Sequence, residues 1–189
     1  MKNKNIKINS ILGHKIATCS FGVLSSLLFV SQVYASAITP DNVLNLINQE
    51  RTERGIPRLV LDNDLNNAAT QKTKDMVNRD YFEHFAFGST PWDFVKNSGY
   101  DYLYAGENLA MDFNTSEGMV NAWMNSPAHR DNILNPDFRD IGIGVVKGEF
   151  TENESNRNTT MVTNMFGRKK PTVLKIFDFI TNNIFGNLR

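Results

Sequence analysis

Cysteine is almost missing from this chain of 189 residues: the single one, Cys19, stands in the N-terminal segment. A domain freed of that segment forms no disulfide and has to stand on its hydrophobic core, which its length allows. Cys19 also lies near the start of an apolar run rather than after it, which argues against a lipoprotein anchor. Histidine is scarce too, three in all, and only His84 and His129 lie beyond the N-terminal segment. There is no HExxH pair and no GxSxG elbow, so neither a ready-made zinc-protease helix nor a serine-hydrolase turn is available. No repeat recurs along the chain. No basic stripe studded with aromatics is present either, which speaks against nucleic acid as a partner.

What is present begins with a targeting segment. Lys2, Lys4, Lys7 and Lys15 precede the apolar run Ile16 to Val30, and Ala35-Ser36-Ala37 supplies a small-residue cleavage pattern. The run is shorter than the about 20 residues of a membrane-spanning helix. Residues 1–37 therefore read as a signal peptide, with the mature chain starting near Ile38; an uncleaved N-terminal membrane anchor is the alternative. Both put the domain outside the cytoplasm, and the secreted form reads as a monomer. Formal charge is zero overall, yet residues 38–166 carry 11 Lys+Arg against 19 Asp+Glu, whereas the last 23 residues carry five basic groups against Asp178 alone. One globular domain with appendages fits the length.

Between these ends, Thr39-Pro40-Asp41 opens a helix that Gly55 closes, and Asp62 or Asn63 caps a second one carrying Leu65, Ala68, Ala69 and Met76 on one face. Thr90-Pro91-Trp92-Asp93 has the form of a capping box ahead of a short helix, and Thr115 caps another whose stripe includes Met119, Val120 and Trp123. Ser126-Pro127 restarts a helix with Ser126 as its N-cap, which puts His129 and Arg130 in the first turns. Ile141, Ile143 and Val145 alternate with Gly142 and Gly144, a strand built for close approach on one face. Gly148 to Asn158 reads as a hairpin loop, and Thr159 to Phe166 as the returning strand. Helices first and antiparallel strands later predict an α+β domain. Arg168-Lys169-Lys170-Pro171 reads as a linker to a terminal amphipathic helix suited to docking on the domain or to contact with a membrane surface.

His84, then GENLA at 106–110, AWMNSPAHRDNIL at 122–134, FRDIGIGV at 138–145 and VTNMFG at 162–167 together resemble the ordered signature of the CAP superfamily, or SCP domain. That group takes in cysteine-rich secretory, antigen 5 and pathogenesis-related proteins, and the likeness is to its cysteine-free bacterial branch. The resemblance implies an α-β-α sandwich with a central, mainly antiparallel sheet over residues 38–167, leaving 168–189 as a basic tail. It also implies a cavity: His84 and His129 match its two histidines and Glu107 its GEN-block glutamate. The family's frequent second glutamate, three residues beyond the tryptophan, is Ser126 here.

Two imidazoles and a carboxylate with an open fourth position are a ligand set that zinc accepts. The same three side chains also suit a buried polar network in which Glu107 accepts hydrogen bonds from both histidines. A Ser126–His129–Glu107 triad is a third arrangement, weakened by the proline after Ser126. Asn108, Ser126, Arg130 and Asn132 are the supporting residues. Functionally the choice lies between an extracellular module binding a lipid, peptide or cell-wall ligand, with or without a divalent metal, and a zinc-dependent hydrolase using the same cavity.

Overall fold

The computed structural model describes residues 35–152, 155–174, 176 and 181. The basic and apolar parts of the signal segment, and most of the tail, lie outside the described residues. Among the described residues, helices run α1 Pro40–Thr52, α2 Asn63–Asn78, α3 Pro91–Asn97, α4 Ser116–Asn125 and α5 Pro127–Leu134, with strands β1 Val60–Leu61, β2 Tyr102–Met111, β3 Asp140–Glu152 and β4 Ser155–Lys169 between and after them. The strands form one sheet in the order β1-β3-β4-β2. Only the short β1 pairs in parallel, with β3; β3/β4 and β4/β2 are antiparallel.

The helix starts are where local chemistry puts them. Thr39, Asp62 and Thr115 each accept a backbone N–H of their own first turn, and Thr90 with Asp93 closes a reciprocal capping box. Each such cap satisfies donors that a helix cannot satisfy itself.

The sheet is covered on both faces. On one, Val43 and Ile47 of α1, Val120 and Trp123 of α4 and Ile133 of α5 pack on Ile141, Ile143, Val162 and Phe166. On the other, Leu65, Ala68 and Ala69 of α2 pack with Val95 of α3 and Met165, while Met76 meets Leu109 and Met161 farther along. This is the α-β-α sandwich of an α+β fold. The approach of α2 to β3 is unusually close: a Cβ at Gly142 would lie 2.1 Å from the Leu65 backbone, and one at Gly144 would lie 2.4 Å from the Ala69 carbonyl. The glycine alternation is thus a seat for the α2 backbone.

On the opposite face a buried cation fastens the loops. Arg51, with no exposed surface, donates to the carbonyls of Pro57, Ile133, Asn135 and Phe138, tying the end of α1 to the end of α5. Burial and the neighbouring Arg139 hold its guanidinium down at about 10.

The hairpin departs from expectation. Residues 148–158 are not a long loop: the β3/β4 ladder continues through Gly148↔Thr159 and Phe150↔Arg157 to Glu152↔Ser155. These positions are polar because the hairpin extends into solvent, with the Thr151 N–H taken by Asp80. Nor are Arg168 and Lys169 linker. They pair with Tyr104 and Tyr102 at the end of β4, and the Lys169 ammonium meets Asp62 at 2.7 Å. Of the expected tail helix, Val173, Leu174 and Ile176 are described and exposed.

A chain ended at Lys170 is therefore expected to melt with the longer one, whereas a chain ended at Gly167 loses two ladder positions and the Lys169–Asp62 pair. Thermal melts should separate them by about 2–4 °C; coincident melts would show that the strand end contributes nothing.

Candidate functional site

β2 is the edge strand of the sheet, and the candidate residues gather around it. An edge carries backbone groups without strand partners. Here the groove side is closed by side chains: the Trp123 indole N–H donates to the Leu109 carbonyl at 2.9 Å, and the Asn132 amide donates to the Glu107 carbonyl at 3.1 Å. The helical spacing that makes Trp123 a core residue also aims its one donor at the strand edge.

Glu107 points from this strand toward the loop after α2. Its Oε1 lies 2.6 Å from the Nδ1 of His84, a pair in which the carboxylate side chain is 2% exposed and the imidazole 46%. Its Oε2 is buried without a partner among the described residues. Burial accordingly pushes the Glu107 carboxyl above its ordinary range, opposed by the bond to His84 and the nearby Lys72 ammonium.

Lys72 is the residue that sequence reasoning missed. It sits on α2 with 1% exposure, and its ammonium donates to the carbonyls of Glu83 and His84 at 2.8 and 3.1 Å and lies 3.2 Å from the Tyr81 hydroxyl. The hydroxyl in turn donates to Asp75 at 2.7 Å. Tyr81 and Phe94 present ring faces to the same ammonium, at 4.7 and 5.6 Å from their centroids. Burial lowers the Lys72 pKa, against the opposing pull of Glu107, Asp75 and Glu83. The sequence did hold a signal: a lysine inside the apolar face Leu65, Ala68, Ala69, Met76 needs a buried partner.

His129 stands apart from this pair. From the first turn of α5 its Nδ1 lies 2.9 Å from the Ser126 hydroxyl. Ser126 occupies the N-cap position, but its side chain caps no backbone N–H; with Pro127 next and His129 three residues on, the ring nitrogen takes the hydroxyl instead. Burial and repulsion from His84 hold the His129 imidazole below its ordinary value. Asn108, fully buried, donates to the His129 carbonyl at 3.0 Å and accepts from Asn132 at 2.8 Å, linking helix to strand. Arg130 turns back to the Met124 carbonyl and leaves the site.

Two of the three expected residues are thus in contact, and the third is held by Ser126. Glu107 does not accept from both histidines, and it does not orient His129 toward Ser126. Among the described residues no three His, Cys, Asp or Glu side chains are placed to hold one metal ion. As placed, His84, Glu107 and His129 are not such a set; with Nδ1 of each ring bonded to a carboxylate or a hydroxyl, Nε2 is the atom that a metal would take.

Two clefts flank the edge. One, of about 240 Å³, is lined by His84, Phe85, Trp92, Gly106, Glu107 and Asn132. The other, of about 280 Å³ and mainly apolar, is lined by Phe82, Leu109, Phe113, Trp123, Ser126 and His129 among others. A cleft of about 520 Å³ near Asp112 and Arg157 shares Phe113 with the second of these but touches none of His84, Glu107 and His129.

A helix–sheet–helix sandwich whose edge strand carries a glutamate against a loop histidine defines an SCP-type domain. The model of the cysteine-rich secretory protein family, CAP, matches residues 44–165, and the chain belongs to that family. It is 45% identical over 107 residues to the uncharacterized protein YkwD of Bacillus subtilis, a match covering 56% of this chain and 41% of that one. It is 32% identical over 113 residues to the uncharacterized membrane protein YlbC of the same organism, covering 59% of this chain and 32% of that one. The matches therefore span less than half of either relative. Among solved structures, an extracellular protein containing a SCP domain from Bacillus anthracis aligns with a TM-score of 0.58 at 28% identity, over 72% of this chain and 46% of that one. An outer surface protein of Borrelia burgdorferi shares the fold with a TM-score of 0.59 at 23% identity, over 72% of this chain and 100% of that one.

The buried lysine and the second histidine each make the geometry testable. Replacing Lys72 with Met keeps the stem but strands the Glu83 and His84 carbonyls, so urea unfolding should report a loss of about 1–3 kcal/mol, with faster proteolysis within residues 81–88. The depressed His129 favours folding in its neutral form: that contribution is complete above about pH 6.5 and is lost as pH falls through the lower folded value. Melts between about pH 7.5 and pH 5 should fall less steeply for His129→Asn than for the unaltered protein.

Proposed function

We propose that this chain is an extracellular binding module, holding a peptide or cell-wall fragment in the cleft at His84 and Glu107 without turnover. The observation that carries this reading is the cleft's composition. A half-exposed imidazole bonded to a buried carboxylate lies beside Trp92 and the strongly exposed Phe85, with Phe87 and Tyr104 also exposed nearby. Exposed aromatics flanking a few fixed polar groups suit a ligand with one apolar or sugar face and one hydrogen-bonding edge. The extracellular setting is supported by the N-terminal signal pattern, and the Bacillus anthracis and Borrelia relatives are described as extracellular and outer-surface proteins. Among the described residues no helix is long and apolar enough to cross a membrane. Exposed Val173, Leu174 and Ile176 beside a basic strand end support contact of the tail with an anionic membrane surface.

The cleft beside His129 favours a lipid as a second ligand class, because Phe82, Leu109, Phe113 and Trp123 line it. A zinc-dependent hydrolase is the alternative function. It has weaker support, since His84, Glu107 and His129 do not form one ligand set.

The test is calorimetric titration of purified residues 36–189 with soluble wall muropeptides, a peptide library, fatty acids and zinc, alongside turnover assays on the same compounds. Binding of a muropeptide or peptide that weakens at least about tenfold in both His84→Ala and Phe85→Ala, with no product formed, is the expected result. Zinc-dependent cleavage abolished by His84→Ala and His129→Ala would overturn the binding reading in favour of the hydrolase.

A further inference from the structure

Two residues ahead of the expected mature start are built into the domain. The Ser36 N–H lies 3.0 Å from Glu117 Oε2 in the first turn of α4, and the Ser36 carbonyl accepts the Ser116 N–H at 3.1 Å. The Ala37 carbonyl accepts the Ser116 hydroxyl at 2.9 Å and the Asn42 amide at 2.9 Å. Ser116 has no exposed surface, so its hydroxyl has no water to turn to. Ala35, by contrast, is exposed.

The pattern Ala35-Ser36-Ala37 by itself points to cleavage after Ala37. That cut would discard Ser36 and Ala37, leaving the buried Ser116 hydroxyl and the first N–H of α4 without acceptors and Glu117 without its donor. A leader is removed from an unfolded chain during export, so the folded contacts do not guide the peptidase. They show instead which residues the finished domain uses. Two residues upstream the chain offers a second such pattern, with the small Ala35 at the cut and the compact apolar Val33 two residues before it.

We infer that the chain is cut between Ala35 and Ser36, and that the new Ser36 α-ammonium forms an ion pair with the Glu117 carboxylate at the start of α4. Water adds across the Ala35–Ser36 peptide bond: the leader leaves with a carboxylate on Ala35, and Ser36 keeps the amine, which takes up a proton at neutral pH. Every folded contact survives this cut, and the donor facing Glu117 gains a full charge. Glu117 is prepared for that charge. The Ser36 hydroxyl and N–H already hold its carboxyl below the usual range, and the α4 N-terminus favours an anion there. The inference rests on the export reading given under Proposed function.

The test is N-terminal sequencing and intact mass of the protein recovered from the medium and envelope of cells expressing the full chain. A start at Ser-Ala-Ile-Thr-Pro is expected. An exported protein starting at Ile38 or elsewhere overturns the cut while leaving export intact; a chain keeping Met1 overturns both the cut and the cleaved-leader reading. Proteins made to begin at Ser36 and at Ile38 test the pair itself. The Ser36 form should melt about 2–4 °C higher, and Glu117→Gln should lower its melting point by more than that of the Ile38 form. Equal melting of the two forms, or an equal effect of Glu117→Gln on both, would overturn the ion pair.

Discussion

The closeness of α2 to β3 is the constraint on which the site depends. Two missing Cβ atoms, at Gly142 and Gly144, let the helix backbone lie where any side chain would collide with Leu65 or Ala69. At this depth Thr73 of α2 hydrogen-bonds Thr163 of β4 at 2.9 Å, which fixes the helix along the sheet. Beside it on the helix, Lys72 then projects under the 81–87 loop and gathers the Glu83 and His84 carbonyls. His84 reaches Glu107 because of that anchor, and the helix spacing set by two glycines is felt at a histidine on the far edge of the sheet.

The second organising feature is the way the edge strand is closed. A free β-edge invites pairing with another chain. Trp123 and Asn132 remove two acceptors from that edge while fastening α4 and α5 to it. His84 belongs to the loop after α2 and His129 to α5, and the two come near enough for repulsion from His84 to add to burial in lowering the His129 pKa. Ser126 stands where relatives often carry a further glutamate, and its hydroxyl is satisfied locally by His129. With an acid at that position the second histidine would have a charged partner of its own. Without one, burial and the like charge of His84 favour its neutral form.

Much of the fold was legible because it is written in local chemistry. Caps at Thr39, Asp62, Thr90 and Thr115 announce themselves through residue type and the proline or acid that follows, and the Gly142/Gly144 alternation announces close packing. β2 was harder to read. Its Glu107 and Asn108 are buried polar residues that break the strand's alternation, and both belong to the site rather than to the core. The hairpin end was misread for the opposite reason, since a ladder with one face in solvent and the other only half-buried has the composition of a loop. Arg51 looks like a solvated helix charge until the carbonyls that it collects from distant segments are known, and Lys72, although its place in the apolar face is a signal, does not by itself name its partners. The set His84, Glu107, His129 was found through ordered motifs, but motifs fix order in the chain and not which pair touches.

The coupling between His84 and Glu107 is the measurement that tests the central claim most directly. A double-mutant cycle of His84→Ala and Glu107→Gln, read by urea unfolding at neutral pH, isolates the pair from its surroundings. The expected coupling is about 1 kcal/mol or more, reduced by at least half when Lys72 is Met and the loop loses its anchor. Additive single mutants, with a coupling indistinguishable from zero, would contradict it.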